Sequence, residues 1–129
     1  MGVGLSGDAM RDAVPHILIV DDDLSIKEAL TLALRGAYVV HGAATGDEAC
    51  AALEQHPVSG IILDVLLGKE HGLDLVGRIR ALSPAPILVL TAYGSEEVAI
   101  RALRAGVSDY LRKPFNLADL KTSLSRLVR

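Results

Sequence analysis

Short apolar runs alternate along this chain with longer segments whose apolar residues recur at helical spacing. The apolar runs are His16–Val20, Tyr38–His41, Gly60–Leu63, Ile87–Leu90 and Asp109–Leu111. The helical segments are 24–35, 46–56, 73–82, 96–105 and 117–128. Runs of three to five residues suit short buried strands, and segments of about a dozen suit helices. The alternation predicts an α/β fold, built from five βα units around a parallel sheet with helices on both faces.

Helix boundaries are marked by residues with a known capping chemistry. Asp23 and Asn116 stand at N-cap positions, and Thr45–Glu48 reads as a capping box. Gly36 follows the first helical segment, where a glycine ends helices readily, and Pro57 stops the second. These signals predict one continuous domain, 15–129. The segment 1–14 is Gly-rich and has no apolar core, so we expect it to be a flexible N-terminal arm.

Composition and charge exclude several classes of function. A chain of 129 residues is one domain, and its net charge of −3 argues against a nucleic-acid surface. The one cysteine, Cys50, cannot form an internal disulfide. No apolar stretch approaches the roughly 20 residues that a membrane span needs. We therefore expect a cytoplasmic protein that binds no nucleic acid and no membrane.

Polar residues follow the predicted strands at the point where each strand ends. Asp21, Asp22 and Asp23 follow the first strand, Asp64 follows the third, and Thr91 follows the fourth. The fifth strand leads to Lys113. Ligands of open parallel sheets bind outside the carboxyl ends of the strands. The order predicts a crevice for a divalent cation and a phosphoryl group.

Each residue of this group has a chemical role that its neighbours would make possible. Asp21 and Asp22 would share a hard cation such as Mg²⁺ with Asp64, because adjacent carboxylates need a cation to offset their repulsion. Asp64 is then the candidate nucleophile that forms an acyl phosphate. Thr91 would donate its hydroxyl to a phosphoryl oxygen, and the Lys113 ammonium would support the same group. Taken singly, these residues also suit turns, caps and solvated surface.

Four motifs in order resemble one family. They are ILIVDDD (17–23), ILDVLLGKEHGLDL (62–75), ILVLTAYG (87–94) and SDYLRKPF (108–115). From about His16 to Val128 the chain resembles the receiver domain of two-component response regulators. The resemblance implies a doubly wound five-stranded parallel sheet of flavodoxin-like order 2-1-3-4-5 with five helices.

The resemblance also implies the chemistry of the site. Asp64 would be phosphorylated by a sensor histidine kinase or a phosphotransfer protein. Mg²⁺, or Mn²⁺ in its place, would be held by Asp21, Asp22, Asp64 and the backbone carbonyl of Leu66. Thr91 and Lys113 would contact the phosphoryl group, for which Ala92 leaves room.

A switch is implied as well. Tyr110 would turn inward as Thr91 moves toward the phosphoryl group, and the Lys113–Pro114 bond would be cis. The surface of helix 4, strand 5 and helix 5 would change shape and control an output domain or downstream protein, including transcription. The same surface is the expected site of homodimer contacts. The chain is expected to be a signalling module, not an enzyme beyond its own phosphoryl transfer and hydrolysis.

Three other classes remain open at this stage. A phosphohydrolase of the haloacid dehalogenase type would fit the acids after strand 1, but it needs an acidic ligand where this chain has Thr91. A flavodoxin would need a hydroxyl- and glycine-rich loop where three acids stand. An interaction module that is never phosphorylated fits the same sequence. The four histidines (His16, His41, His56 and His71) lack metal-ligand spacing and are predicted to be scattered surface or edge residues.

Overall fold

In the part of the chain that the structure describes, five strands of one sheet alternate with five helices. The computed structural model describes residues 14–67, 70–91 and 96–128, with the backbone alone for 66–67, 70–71, 96 and 98–99. Strands β1 to β5 are His16–Val20, Val39–Ala43, Val58–Asp64, Ile87–Thr91 and Asp109–Arg112. Helices α1 to α5 are Leu24–Leu34, Gly46–Gln55, Gly72–Leu82, Glu96–Arg104 and Leu117–Leu127. The predicted arm, 1–14, lies outside the described residues except for Val14.

The strands form one parallel sheet in the order β2-β1-β3-β4-β5. This confirms the predicted doubly wound α/β fold and its strand order. Because every strand runs in the same direction, the five carboxyl ends meet at one edge of the sheet. None of the helices in the described ranges is long and apolar enough to cross a membrane.

The helix caps lie where the sequence predicts them. The Asp23 carboxylate accepts two backbone N–H groups of the first turn of α1, at 2.9 and 3.2 Å. The Asn116 side chain accepts one at the start of α5, at 2.8 Å. Thr45 caps α2 by accepting the Glu48 N–H at 3.1 Å. Glu48 reaches back one residue further than a capping box requires, and its Oε1 accepts the Ala44 N–H at 3.2 Å.

Four strands extend beyond their predicted apolar runs, and β2 and β3 do so by two residues or more. β2 extends to Gly42 and Ala43, which pair with Ile19 and Val20 of the central strand β1. β3 begins at Val58, two residues before the predicted start. Pairing with a buried central strand decides both bounds, because the ladder satisfies backbone groups whatever the side chain.

The segment between β3 and α3, for which the sequence predicts neither strand nor helix, contains a short antiparallel ribbon. Leu66–Leu67 pairs with Glu70–His71. The ribbon returns the chain to the end of β3, so that α3 begins at Gly72 directly beside the strand it follows.

Two apolar cores lie on the two faces of the sheet, because successive strand residues point to opposite sides. One face packs on α2, α3 and α4, and its strand residues include Leu18, Ile61, Leu63 and Val89. The other face packs on α1 and α5, and its strand residues include Ile17, Ile19, Ile62 and Leu88. All eight are fully buried. The strand ends therefore project from a rigid, tightly packed base.

Three histidines meet at the end of the sheet remote from those carboxyl ends. His16 Nδ1 and His41 Nε2 are 3.0 Å apart, and their ring centroids are 5.2 Å apart. The His56 ring stacks on His41, with centroids 3.8 Å apart and 15° between the planes. The prediction that the histidines are scattered is wrong for these three, since strand pairing across 25 residues joins the first two.

Acidification is expected to destabilise the protein through this histidine group. Burial lowers the pKa of His41 from its ordinary value of 6.5, and the neighbouring charges of His56 and His16 lower it further. The unfolded chain then binds the proton more readily, so the stabilising contribution is present above about pH 6.5 and lost as the pH falls below it. Thermal unfolding from pH 7.5 to 5.5 should show a falling Tm. His41→Gln should flatten this dependence, and an unchanged slope would contradict the assignment.

Candidate functional site

Asp21 lies immediately beyond β1 and is almost completely buried, with 1% of its surface exposed. Its N–H donates to the Ala43 carbonyl at 3.0 Å, and its Oδ1 accepts the Asp23 N–H at 2.9 Å. Its Oδ2 is buried and has no hydrogen-bond partner among the described residues. Such an oxygen is costly unless a proton or a cation satisfies it.

Burial is the main cause of a raised pKa at Asp21, above its ordinary value of 3.8. The negative charges of Asp64 and Asp22 raise the pKa further, while the Asp23 N–H and the Lys113 charge lower it. Four groups that follow the predicted strands, in Asp22, Asp23, Asp64 and Lys113, thus act on the Asp21 carboxylate. A cation bound here would offset the negative charges of these carboxylates.

Asp64 is the last residue of β3 and pairs in register with Leu90 of β4. Its side chain is 8% exposed, and its Oδ2 accepts the Lys113 ammonium at 3.0 Å. The peptide that follows is fixed as well, because the Val65 N–H donates to the Leu90 carbonyl at 3.1 Å. The Asp64 carboxylate thus lies buried in contact with a cation, a placement that suits a nucleophile whose reaction partner carries negative charge.

Thr91 ends β4 and is fully buried. Its Oγ1 has no hydrogen-bond partner in the part of the chain that the structure describes. The Thr91 carbonyl accepts the Lys113 N–H at 2.8 Å, and the Lys113–Pro114 peptide bond is cis. The backbone contact brings the lysine to the edge where its side chain reaches Asp64.

The structure thus brings Asp64 and Lys113 into contact and aligns Asp21 and Thr91 at the same edge of the sheet. Asp22 is exposed, and it acts on Asp21 through its charge. Leu66 begins the ribbon two residues after Asp64, and the structure describes its backbone. Tyr110 is partly buried against the core on the α4 side of the sheet. Ala92 lies outside the described residues.

A magnesium ion fits the chemistry of this donor set. In the described part of the chain, no three His, Cys, Asp or Glu side chains converge closely enough to hold a metal by themselves. Mg²⁺ does not require that, since it binds through one or two carboxylates and completes its shell with water and phosphate oxygens. The unpartnered Oδ2 of Asp21 is the kind of hard oxygen that such a cation satisfies.

Comparison with known proteins identifies the family. The model of the response regulator receiver domain matches residues 17–125. The chain belongs to this family. This receiver domain is 33% identical to the chemotaxis protein CheY4 of Vibrio cholerae, whose structure superposes with a TM-score of 0.83 and covers 90% of this chain and 100% of that one. A structure of a putative response regulator from Chloroflexus aurantiacus is 40% identical, with a TM-score of 0.79, covering 88% of this chain and 96% of that one.

Curated relatives are longer than this receiver domain. The transcriptional regulatory protein ZraR of Salmonella typhimurium is 39% identical over 114 residues, which are 87% of this chain and 26% of that protein. The transcriptional regulatory protein KdpE of Mycobacterium tuberculosis is 37% identical over 115 residues, which are 88% of this chain and 50% of that protein. The chain spans about a quarter to a half of the length of these relatives.

Proposed function

We propose that this receiver domain accepts a phosphoryl group on Asp64 from a sensor histidine kinase or a phosphotransfer protein, with Mg²⁺ or Mn²⁺ as cofactor. One observation carries the proposal. The buried Asp64 carboxylate contacts the Lys113 ammonium at 3.0 Å, at an edge where Asp21 and Thr91 each have a buried oxygen with no partner among the described residues.

The transfer needs little covalent chemistry from the protein. An Asp64 oxygen forms a bond to phosphorus as the P–N bond of a phosphohistidine donor breaks, and the leaving nitrogen keeps the bonding pair and takes a proton. Lys113 offsets charge on the phosphoryl oxygens, and Thr91 can donate its hydroxyl to one of them. Mg²⁺, held by Asp21, Asp22, Asp64 and the Leu66 carbonyl, would supply further positive charge. We propose a self-catalysed transfer and hydrolysis, with no other enzymatic activity.

Phosphorylation would switch the surface formed by α4, β5 and α5. The modification adds nearly two negative charges to a confined site. The Thr91 hydroxyl would move toward them, and Tyr110 would turn into the space that it leaves. Two apolar side chains of α4, Ile100 and Leu103, are 51% and 46% exposed and would belong to this surface. A population shift requires contacts that differ between the two states, and the phosphoryl group supplies them.

The partners proposed for this domain follow from its relatives. ZraR and KdpE are transcriptional regulatory proteins of greater length, so we propose an output domain or downstream protein that controls transcription in the cytoplasm. The surface of α4, β5 and α5 is the proposed site of a homodimer. A response regulator from Burkholderia pseudomallei, 32% identical with a TM-score of 0.78 over 89% of this chain and 66% of that one, is described with a phosphorylated aspartic acid and a calcium ion. That structure supports the proposal that an aspartate is phosphorylated beside a divalent cation.

Incubation with acetyl phosphate and Mg²⁺ tests the proposal. Intact mass spectrometry should show the gain of one phosphoryl group. EDTA added before the phosphodonor should prevent this gain. Asp64→Asn should gain none, whereas Asp23→Asn, which keeps a capping side chain, should behave as the native chain does. A native chain that gains no mass would favour the interaction module that is never phosphorylated. A gain of mass that persists in Asp64→Asn would show that another residue is phosphorylated.

A further inference from the structure

Gly72, the first residue of α3, is buried directly against the backbone that carries the proposed phosphoacceptor. A Cβ placed on Gly72 would lie 2.4 Å from the Asp64 carbonyl oxygen, 2.8 Å from the Val65 Cα and 2.9 Å from the Val65 carbonyl oxygen. A Cβ atom essentially never approaches other heavy atoms this closely, and all three partners are backbone atoms. No flexible side chain can move aside to make room.

The position requires space, not an unusual backbone conformation. Among the described residues, the glycine with a positive φ is Gly106, at +99°. Gly72 adopts a backbone conformation that other residues can take, so the lack of a side chain is what the site uses. Gly77, in the same helix, makes the contrast clear, because a Cβ placed there meets no atom within 4 Å.

Hydrogen bonds hold Val65, the residue after Asp64, through both its N–H and its carbonyl. The Gly72 N–H donates to the Val65 carbonyl at 2.7 Å, and the Val65 N–H donates to the Leu90 carbonyl of β4 at 3.1 Å. Val65 is therefore clamped between β4 and the start of α3. The ribbon that begins at Leu66 leaves from this clamp and returns to it.

We propose that Gly72 is a positioning residue for phosphoryl transfer, an inference that rests on the proposed role of Asp64. By allowing α3 to touch the backbone at the end of β3, it sets where the acceptor carboxylate lies relative to Lys113. A methyl group at this position must displace the Asp64–Val65 peptide by at least about 0.6 Å to reach a tolerable contact. Misplacement of a reacting group by about 1 Å can lower a rate by about 100-fold.

The test compares the rate of phosphorylation by acetyl phosphate at saturating Mg²⁺ in the native chain, Gly72→Ala and Gly77→Ala. Gly72→Ala should be about 10- to 100-fold slower at a temperature where it is fully folded by circular dichroism. Gly77→Ala should keep the native rate and unfold at a higher temperature, since alanine favours a helix interior. The rate loss should also persist in the Gly72→Ala/Gly77→Ala double variant, which separates misplacement from lost stability.

The outcomes distinguish this inference from the proposed function. A folded Gly72→Ala that is phosphorylated within twofold of the native rate overturns the positioning role and leaves the role of Asp64 intact. Phosphorylation of none of the three proteins overturns both. Should Gly72→Ala not fold, hydrogen exchange of the native protein decides. The Gly72 amide should be protected as strongly as the amides of β3, and rapid exchange there would refute the clamp.

Discussion

Asp21→Asn is expected to weaken Mg²⁺ binding at least about tenfold and, at the same time, to make the metal-free protein more stable at pH 7. The first effect follows from the loss of one negative charge and of the unpartnered Oδ2. The second follows from the raised pKa of Asp21, which burial causes first and the Asp64 charge assists. The folded state binds this proton more tightly than the unfolded state, so ionisation costs stability as the pH rises above 3.8 through the raised pKa.

The gain in stability should be about 0.5–2 kcal/mol, the range typical of a single stabilising substitution. An Asn at position 21 keeps an oxygen to accept the Asp23 N–H. Titration calorimetry with Mg²⁺ and thermal melts with EDTA measure the two effects. Asp23→Asn is the matched control, because Asp23 is exposed and asparagine caps a helix equally well. If Asp21→Asn and the native chain bind Mg²⁺ with equal affinity, Asp21 is not a ligand of the metal.

Lys113→Met is expected to have the opposite effect on stability, with a loss of about 2 kcal/mol at pH 7. Removing one partner of a buried ion pair leaves the other charge uncompensated, which costs about 3–5 kcal/mol when both are fully buried. Here the Lys113 side chain is 33% exposed and Asp64 is 8% exposed, so the smaller figure applies. The Asp64 and Asp21 carboxylates would then repel one another without the Lys113 charge that now offsets them.

The dependence of the destabilisation on pH and on Mg²⁺ distinguishes a lost charge interaction from lost packing of the lysine side chain. The destabilisation by Lys113→Met should shrink toward pH 5, as protonation of the uncompensated carboxylates relieves their repulsion, and Mg²⁺ should restore part of the lost Tm. Lys121→Met, at an exposed position of α5, should change neither quantity. Urea unfolding at pH 7 and pH 5, with and without Mg²⁺, measures all of these. A loss of stability independent of both pH and Mg²⁺ would show that Lys113 contributes through its aliphatic chain alone.

Local physical chemistry explains why so much of the fold could be predicted. Runs such as 87–90 are too short and too apolar for anything but a buried strand, and they are followed by segments with helical spacing. Asp23 and Asn116 cap helices through contacts within three residues, which a sequence displays directly. The strand-end residues Asp64, Thr91 and Lys113 were found because a parallel sheet brings all carboxyl ends to one edge.

Other features depend on contacts that no local pattern encodes. The stacking of His41 on His56 joins β2 to the end of α2, and the pairing with His16 depends on strand register. The ribbon after Leu66 depends on where β3 ends against β4. Gly72 lies just before the predicted helix 73–82, and its importance depends on three backbone atoms seven and eight residues earlier in the chain.

The sequence alone determined the alternation of strands and helices, their caps and the kinds of side chain at each strand end, because these follow from periodicity and from interactions a few residues long. The tertiary structure decided which oxygens are buried without partners, that Lys113 touches Asp64, and how closely α3 approaches the acceptor. Contact distances, to within a few tenths of an ångström, are set by packing, and the pKa of Asp21 is set mainly by desolvation. Those depend on the whole folded sheet and not on any one segment of the chain.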